Sequence, residues 1–330
     1  MSFNRLIGQQ KVKSILTEAA VSGRLGHAYM FVGPEGIGKK SFADEFAKLI
    51  MCGGRRDEED EPCGRCESCV LLGQGFNPDC VREDVPQGKA SISVDAVREI
   101  QEKITTAPAY GRKKVVIIAN ADKMTVQAQN ALLKTLEEPP EYVVIILLCA
   151  NKTMMLETVK SRVVTVEFSR NTDEEVRQYY LSNDPEATKE KLALVCAYAD
   201  GIIGRAEQIG EGKETEEIRQ AVPEIIETAA NDKFAASKQL SGLLTKSEDS
   251  KAFVFFTLRS FYRDIQIAAR YGSKSELMNP DFRETIARLA GKIGYHKAAR
   301  NAEIVDETWR MLGRNANLKL ATDRMIIHLQ

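Results

Sequence analysis

The chain has 330 residues, 43% of them hydrophobic and 28% charged, which predicts two or three globular domains with ample apolar core. A formal net charge of −1 excludes a global pull towards nucleic acid or anionic lipid, so any such contact must come from a local patch. No apolar run approaches ~20 residues, and the opening MSFNRLIGQQ lacks a signal peptide's charged-then-apolar profile, so a cytoplasmic protein without membrane contact is expected.

The first strand signal is AYMFV, Ala28–Val32, followed by GPEGIGKKS and a helical pattern that runs to Cys52. Gly33, Gly38 and Lys39 have the spacing of a P-loop, with Gly36 between them. In a working P-loop the backbone N–H groups cradle the phosphates, the lysine contacts the β and γ oxygens, and a hydroxyl on the next residue holds Mg²⁺. That next residue is Lys40. Ser41 does not simply substitute, because one step along a helix turns a side chain by about 100°.

Four of the seven cysteines come next: Cys52, then Cys63, Cys66 and Cys69 in CGRCESC. Two overlapping C-x-x-C steps and one distant cysteine supply the four soft ligands of a closed, structural zinc site. Unrelated buried or free thiols are the alternative. Gly64 permits a tight knuckle turn, and the charged stretch Arg55–Glu61 reads as a solvated loop whose closure costs little. Cys80, Cys149 and Cys196 stand alone and read as small apolar fillers.

Further strand-like runs are KVVIIA (Lys114–Ala119), YVVIILLC (Tyr142–Cys149) and VVTVEF (Val163–Phe168). Continuous apolar runs of this kind predict a parallel sheet covered by helices on both faces. Between two of them lies a helix with Thr125 as N-cap, a stripe of Leu132, Leu133 and Leu136, and Pro139–Pro140 as its stop. ATP hydrolysis also needs an acidic pair at the end of a neighbouring strand. After VVII the residues are Ala119 and Asn120, and Asp122 is expected in the following loop. Lys40, Ala119 and Asn120 together predict the architecture of an ATPase without its chemistry. Beyond Asn171 strand signals vanish, and helices alone are expected, in a small unit over 170–211 and a larger one over 212–330.

LIGQQKVKSIL, GRLGHAYMFVGPEGIGKKS, the four cysteines, NADKMTVQAQNALLKTLEEPP and TVKSR resemble the clamp-loader branch of the AAA+ proteins, from about Phe3 to Arg205. The resemblance implies a P-loop sheet domain over 1–169 carrying the zinc module at 52–69, a helical lid, and an all-α collar for oligomerisation. It implies gamma/tau- and delta-type subunits of the bacterial DNA polymerase III clamp loader as partners. The sliding clamp and primer–template DNA would be met through the assembled complex. In the family a Ser-Arg-Cys motif sends its arginine into a neighbouring subunit's ATP site. Here it reads Ser161-Arg162-Val163, so the cysteine is absent and the arginine finger remains. Asn151 and Arg205 fall where the family's first and second sensors lie.

The expected role is thus a non-hydrolysing subunit that supplies Arg162 in trans, with ATP binding weak or absent. An active gamma/tau-type ATPase is the alternative, and a stand-alone zinc-dependent DNA-binding protein is disfavoured by the balanced charge. His27 is as readily a structural histidine, Gly111–Lys114 a solvated turn, and Glu137 with Glu138 an exposed acidic turn.

Overall fold

The computed structural model describes residues 3–56, 59–210, 213–245, 248–272, 275–314 and 316–330. Two residues of the charged loop, 57 and 58, and the expected 211–212 boundary lie outside the described residues. The chain divides into two compact units: one running through residue 175 with 201–204 added, the other Val176–Asp200 with Arg205–Gln330.

The first unit holds a five-stranded parallel sheet of β1 (Ala28–Val32), β2 (Cys80–Glu83), β3 (Lys114–Ile118), β4 (Val143–Cys149) and β5 (Val164–Glu167), ordered β2-β3-β4-β1-β5. Its helices are α1 (Gln10–Val21), α2 (Lys39–Met51), α3 (Glu67–Gln74), α4 (Val94–Lys103), α5 (Val126–Glu137) and the single turn α6 (Glu157–Lys160). Every residue of β3 and β4 is buried, as the apolar runs Val115–Ile118 and Val143–Cys149 require, while buried Lys114 donates to the Lys103 carbonyl and the Thr106 hydroxyl. Successive side chains feed two cores. Tyr29, Phe31, Val115 and Ile117 pack with Leu16 of α1 and Phe42 and Phe46 of α2. Met30, Val116 and Ile118 pack with Val97 and Ile100 of α4 and Leu132 and Leu136 of α5. Each buried Val, Leu, Ile or Phe contributes about 1.5–3 kcal/mol, so the sheet is the rigid element to which the loops are attached.

Thr125 caps α5 as expected, its hydroxyl accepting from the Ala128 N–H at 3.1 Å. Two strands differ from expectation. β5 is an edge strand that buries Val166 and exposes Val164, Thr165 and Glu167, so its apolar run is not buried on both faces. The other edge, β2 (sequence CVRE), is too short and polar to give a strand signal and forms by pairing with β3.

The second unit is helical: most of α7 (Asp173–Asn183) and α9 (Ile203–Gly210), together with α8 (Lys189–Ala199), α10 (Lys213–Asn231), α11 (Lys233–Leu244), α12 (Glu248–Tyr271), α13 (Arg283–Leu312) and α14 (Leu318–His328). Val176, Val195, Val222, Leu258, Ile286 and Ile326 belong to one core. Among the described residues no helix is long and apolar enough to cross a membrane.

Candidate nucleotide and metal sites

Helix α2 joins the two sites. At its N-terminus Gly36 (φ 78°) and Gly38 (φ 105°) adopt the left-handed conformation that turns the backbone sharply from β1 into the helix. Lys39 does not reach outward. Its ammonium donates back to the carbonyls of Gly33 at 2.6 Å and Pro34 at 2.8 Å. Burial pulls its pKa below the usual lysine range, and the charges of Asp122 and Glu35 partly offset that. Lys40 and Ser41 are exposed on the first turn of α2.

The loop is also held from outside. The Gly204 N–H donates to the Gly36 carbonyl at 2.9 Å, and Ile202 is buried in the same core as Phe31 and Phe42. A Cβ on Gly204 would lie 2.9 Å from the Gly36 Cα, so only glycine permits this approach. Residues 201–204 are in turn tied to Asn171, whose backbone N–H and side-chain amide both donate to the Gly201 carbonyl at 2.9 Å. This strap has no signal in sequence, since it depends on two glycines far apart along the chain.

Across the sheet, β4 separates β1 from β3. Ala119 follows β3. Asn120 has φ 50°, and its side-chain amide donates to Asp84 at 2.7 Å, so it is engaged beyond the end of β2. Asp122 lies in a 3₁₀ turn (Ala121–Lys123), where its Oδ2 accepts from the Asn151 N–H at 2.9 Å. Its Oδ1 is buried and has no partner among the described residues. The Asn151 carboxamide oxygen accepts from the Thr153 N–H and hydroxyl, at 3.0 and 2.7 Å. Arg205 belongs to the helical unit, where it lines a cavity with Tyr198, Phe255, Arg259 and Trp309. Gly204, the residue before it, is the one that meets the P-loop.

At the other end of α2 the four cysteines converge. Cys52 follows the last residue of α2, Cys66 is the N-cap of α3, and Cys69 lies in its first turn. Their sulfurs all lie within 4.8 Å of one another, with Cys52 Sγ and Cys66 Sγ 3.9 Å apart. A tetrahedral zinc with bonds of about 2.3 Å needs sulfurs about 3.8 Å apart, so the donor set and its spacing fit this ion. The Cys63 N–H points at Cys52 Sγ (3.2 Å) and the Cys66 N–H at Cys63 Sγ (3.3 Å), which favours thiolates. Burial opposes charge on Cys66, but N–H groups of Cys69 and Gly54 help to bring its thiol down to about 6. Burial pushes Cys69 and Cys52 up. Zinc would require all four as thiolates and leave no open position for chemistry. The module is fastened to the sheet domain. Buried Arg55 donates to the Ala20 carbonyl at the end of α1 (3.1 Å), and Arg112 donates to the Arg55 carbonyl (2.6 Å). Cys149 and Cys196 are buried apolar fillers, and Cys80 is partly buried.

Arg162 sits apart from the P-loop, in the turn from α6 into β5. Its guanidinium donates to the Thr158 carbonyl (3.0 Å) and the Ser161 hydroxyl (3.1 Å) and pairs with Glu137 Oε1 (2.7 Å). Arg162, Ser161 and Glu137 border a groove of ≈ 680 Å³ between the start of β1 and the end of α5, with His27 in its wall.

Residues 8–172 match the family model described as DNA polymerase III, delta subunit. The chain is 32% identical to DNA polymerase III subunit tau of Bacillus subtilis over 203 residues, 60% of this chain and 35% of that protein. It is 26% identical to subunit delta' of the same organism over 329 residues, 98% of this chain and 96% of that one. The chain thus spans about a third of the tau relative and nearly all of the delta' relative. A DNA polymerase III gamma subunit-related protein from Thermotoga maritima has the same fold, with TM-score 0.50 and 18% identity over 96% of this chain and 97% of that chain.

Proposed function

This chain belongs to the DNA polymerase III delta-subunit family as a delta-prime-like clamp-loader subunit, and we propose that it is a non-hydrolysing member that supplies Arg162 to a neighbour's ATP site. The end of β3 carries this reading. Ala119 and Asn120 offer no carboxylate for Mg²⁺ or water, and the Asn120 amide is engaged with Asp84. Lys40 in place of a hydroxyl removes the metal's other protein ligand. Lys39, folded onto its own loop, would have to exchange two carbonyl partners for phosphate, so nucleotide binding is weak and independent of metal.

Arg162 has the chemistry of a finger: permanently charged, planar and multiply donating. Set beside a groove that another subunit can enter, it would stabilise charge developing on the transferring phosphoryl group. The gamma/tau- and delta-type subunits are the proposed partners. Sliding clamp and primer–template DNA are reached through the complex, and the zinc module is structural.

Asp122 supports the second reading, an active ATPase, because its buried Oδ1 lacks a partner among the described residues and its charge acts on Lys39. Steady-state ATP turnover by the purified chain separates the two. Background rates are expected. Turnover that Lys39→Ala abolishes would establish the ATPase instead. In the reconstituted complex, Arg162→Ala should join the assembly and slow DNA- and clamp-stimulated hydrolysis, and Arg162→Lys should restore it in part.

A further inference from the structure

We propose, resting on the finger reading of Arg162, that Glu137 is its positioning residue, holding the guanidinium in the orientation from which it meets a neighbour's phosphate. Glu137 is the last residue of α5. A carboxylate there faces the partial negative charge of the helix C-terminus, so it gains nothing from the helix, and a cation beside it offsets that repulsion. That cation is Arg162, at 2.7 Å.

The pair is not what holds the fold. The side chains are 36% and 50% exposed, and surface ion pairs of this kind contribute about 0–1 kcal/mol. What the contact fixes is direction. Two bonds on Nη1, to Thr158 and Ser161, anchor one side of the guanidinium to the α6 turn, and Glu137 holds Nη2 from a different element. The recorded hydrogen bonds fall on Nη1 and the ion pair on Nη2, leaving Nε without a contact among the described residues and open to an incoming anion. A long, otherwise mobile side chain is held from two helices before any phosphate arrives, and ordering beforehand lowers the entropy lost in reaching the transition state.

The test uses the reconstituted clamp-loader complex with Arg162→Ala, Glu137→Ala, Glu137→Gln and the double variant. Size-exclusion chromatography verifies assembly, and kcat and KM for ATP are measured with clamp and DNA present. Glu137→Ala should lower kcat about tenfold or more, in keeping with the cost of misplacing a catalytic group, and leave KM for ATP nearly unchanged. Glu137→Gln, which keeps an acceptor oxygen without the charge, should fall between Ala and wild type. In the Arg162→Ala background Glu137→Ala should add nothing. If Arg162→Ala slows hydrolysis and Glu137→Ala runs at the wild-type rate or faster, Glu137 does not position the finger and this proposal alone fails. A further loss in the double variant would show that Glu137 acts by another route. No effect of Arg162→Ala would remove the finger reading itself, and the positioning role with it.

Discussion

Helix α2 carries a nucleotide-type loop at one end and a cysteine cluster at the other, and the two differ in what they keep. The loop retains its shape in Gly36, Gly38 and the strand–turn–helix path, while the groups that would hold Mg²⁺ and water are replaced by Lys40, Ala119 and Asn120. The cluster keeps its donor set, four sulfurs within 4.8 Å, at the junction of the end of α2, a connecting loop and the first turn of the short α3. A packed sheet preserves a backbone path because Phe31, Phe42 and Phe46 must still be buried, whatever happens to polar groups at the tip. A small module with little core of its own depends chiefly on its ligands, beyond the Arg55 and Arg112 bonds that fasten it, so losing one leaves little in reserve.

If that contrast is right, the cluster should be the more fragile end. Cys66→Ser should lose the metal and destabilise the sheet unit on the order of 4 kcal/mol, in the range that loss of a metal site reaches. Zinc content near one per wild-type chain and a lowered unfolding midpoint check this. Zinc-free wild-type protein of unchanged stability would make the cysteines ordinary thiols. Next in size is the strap. Gly204→Ala places a methyl 2.9 Å from the Gly36 Cα, and neither backbone can step aside freely. A loss of about 1–3 kcal/mol is expected by chemical denaturation, as for overpacked sites. Lys40→Thr should be almost neutral, within about 0.5 kcal/mol, and should not bring ATP turnover above background.

The smallest effect is a pH dependence. Burial lowers the folded-state pKa of Lys39, so between that value and 10.5 the unfolded chain binds more protons than the folded one. Lys39 therefore weakens the fold while both states are charged, and this penalty is relieved as pH rises through the lowered pKa. Wild type should gain stability relative to Lys39→Met on going from about pH 8 towards pH 10. A constant difference between the two would mean that Lys39 is not titrating abnormally.

Much of this was legible beforehand, where one stretch of chain carried its own reason. The buried runs Val115–Ile118 and Val143–Leu148 declared a doubly covered sheet, and Thr125 with Pro139–Pro140 bounded α5. The cysteine spacing announced the cluster. What escaped depended on pairing between distant segments. β2 is a strand because β3 offers it hydrogen bonds. Asp122 looked like a loop residue, and its contact with the Asn151 N–H arises only when β3 and β4 align. The contact of Arg162 with Glu137 joins the expected finger to a turn that read only as exposed acid.

The strap over Gly36 bears on how the protein responds to its surroundings. In an ATPase a phosphate-binding loop gains order from the nucleotide, and the order gained is part of the signal that other elements detect. Here the Gly204 N–H and buried Ile202 supply that order from within the chain. A loop already fixed has little freedom left for a ligand to remove, and a ligand that needs it rearranged binds less tightly by the fraction of time the rearranged form exists. On the proposed non-hydrolysing reading, such a loop would be a stationary part, keeping one conformation while ATP comes and goes elsewhere.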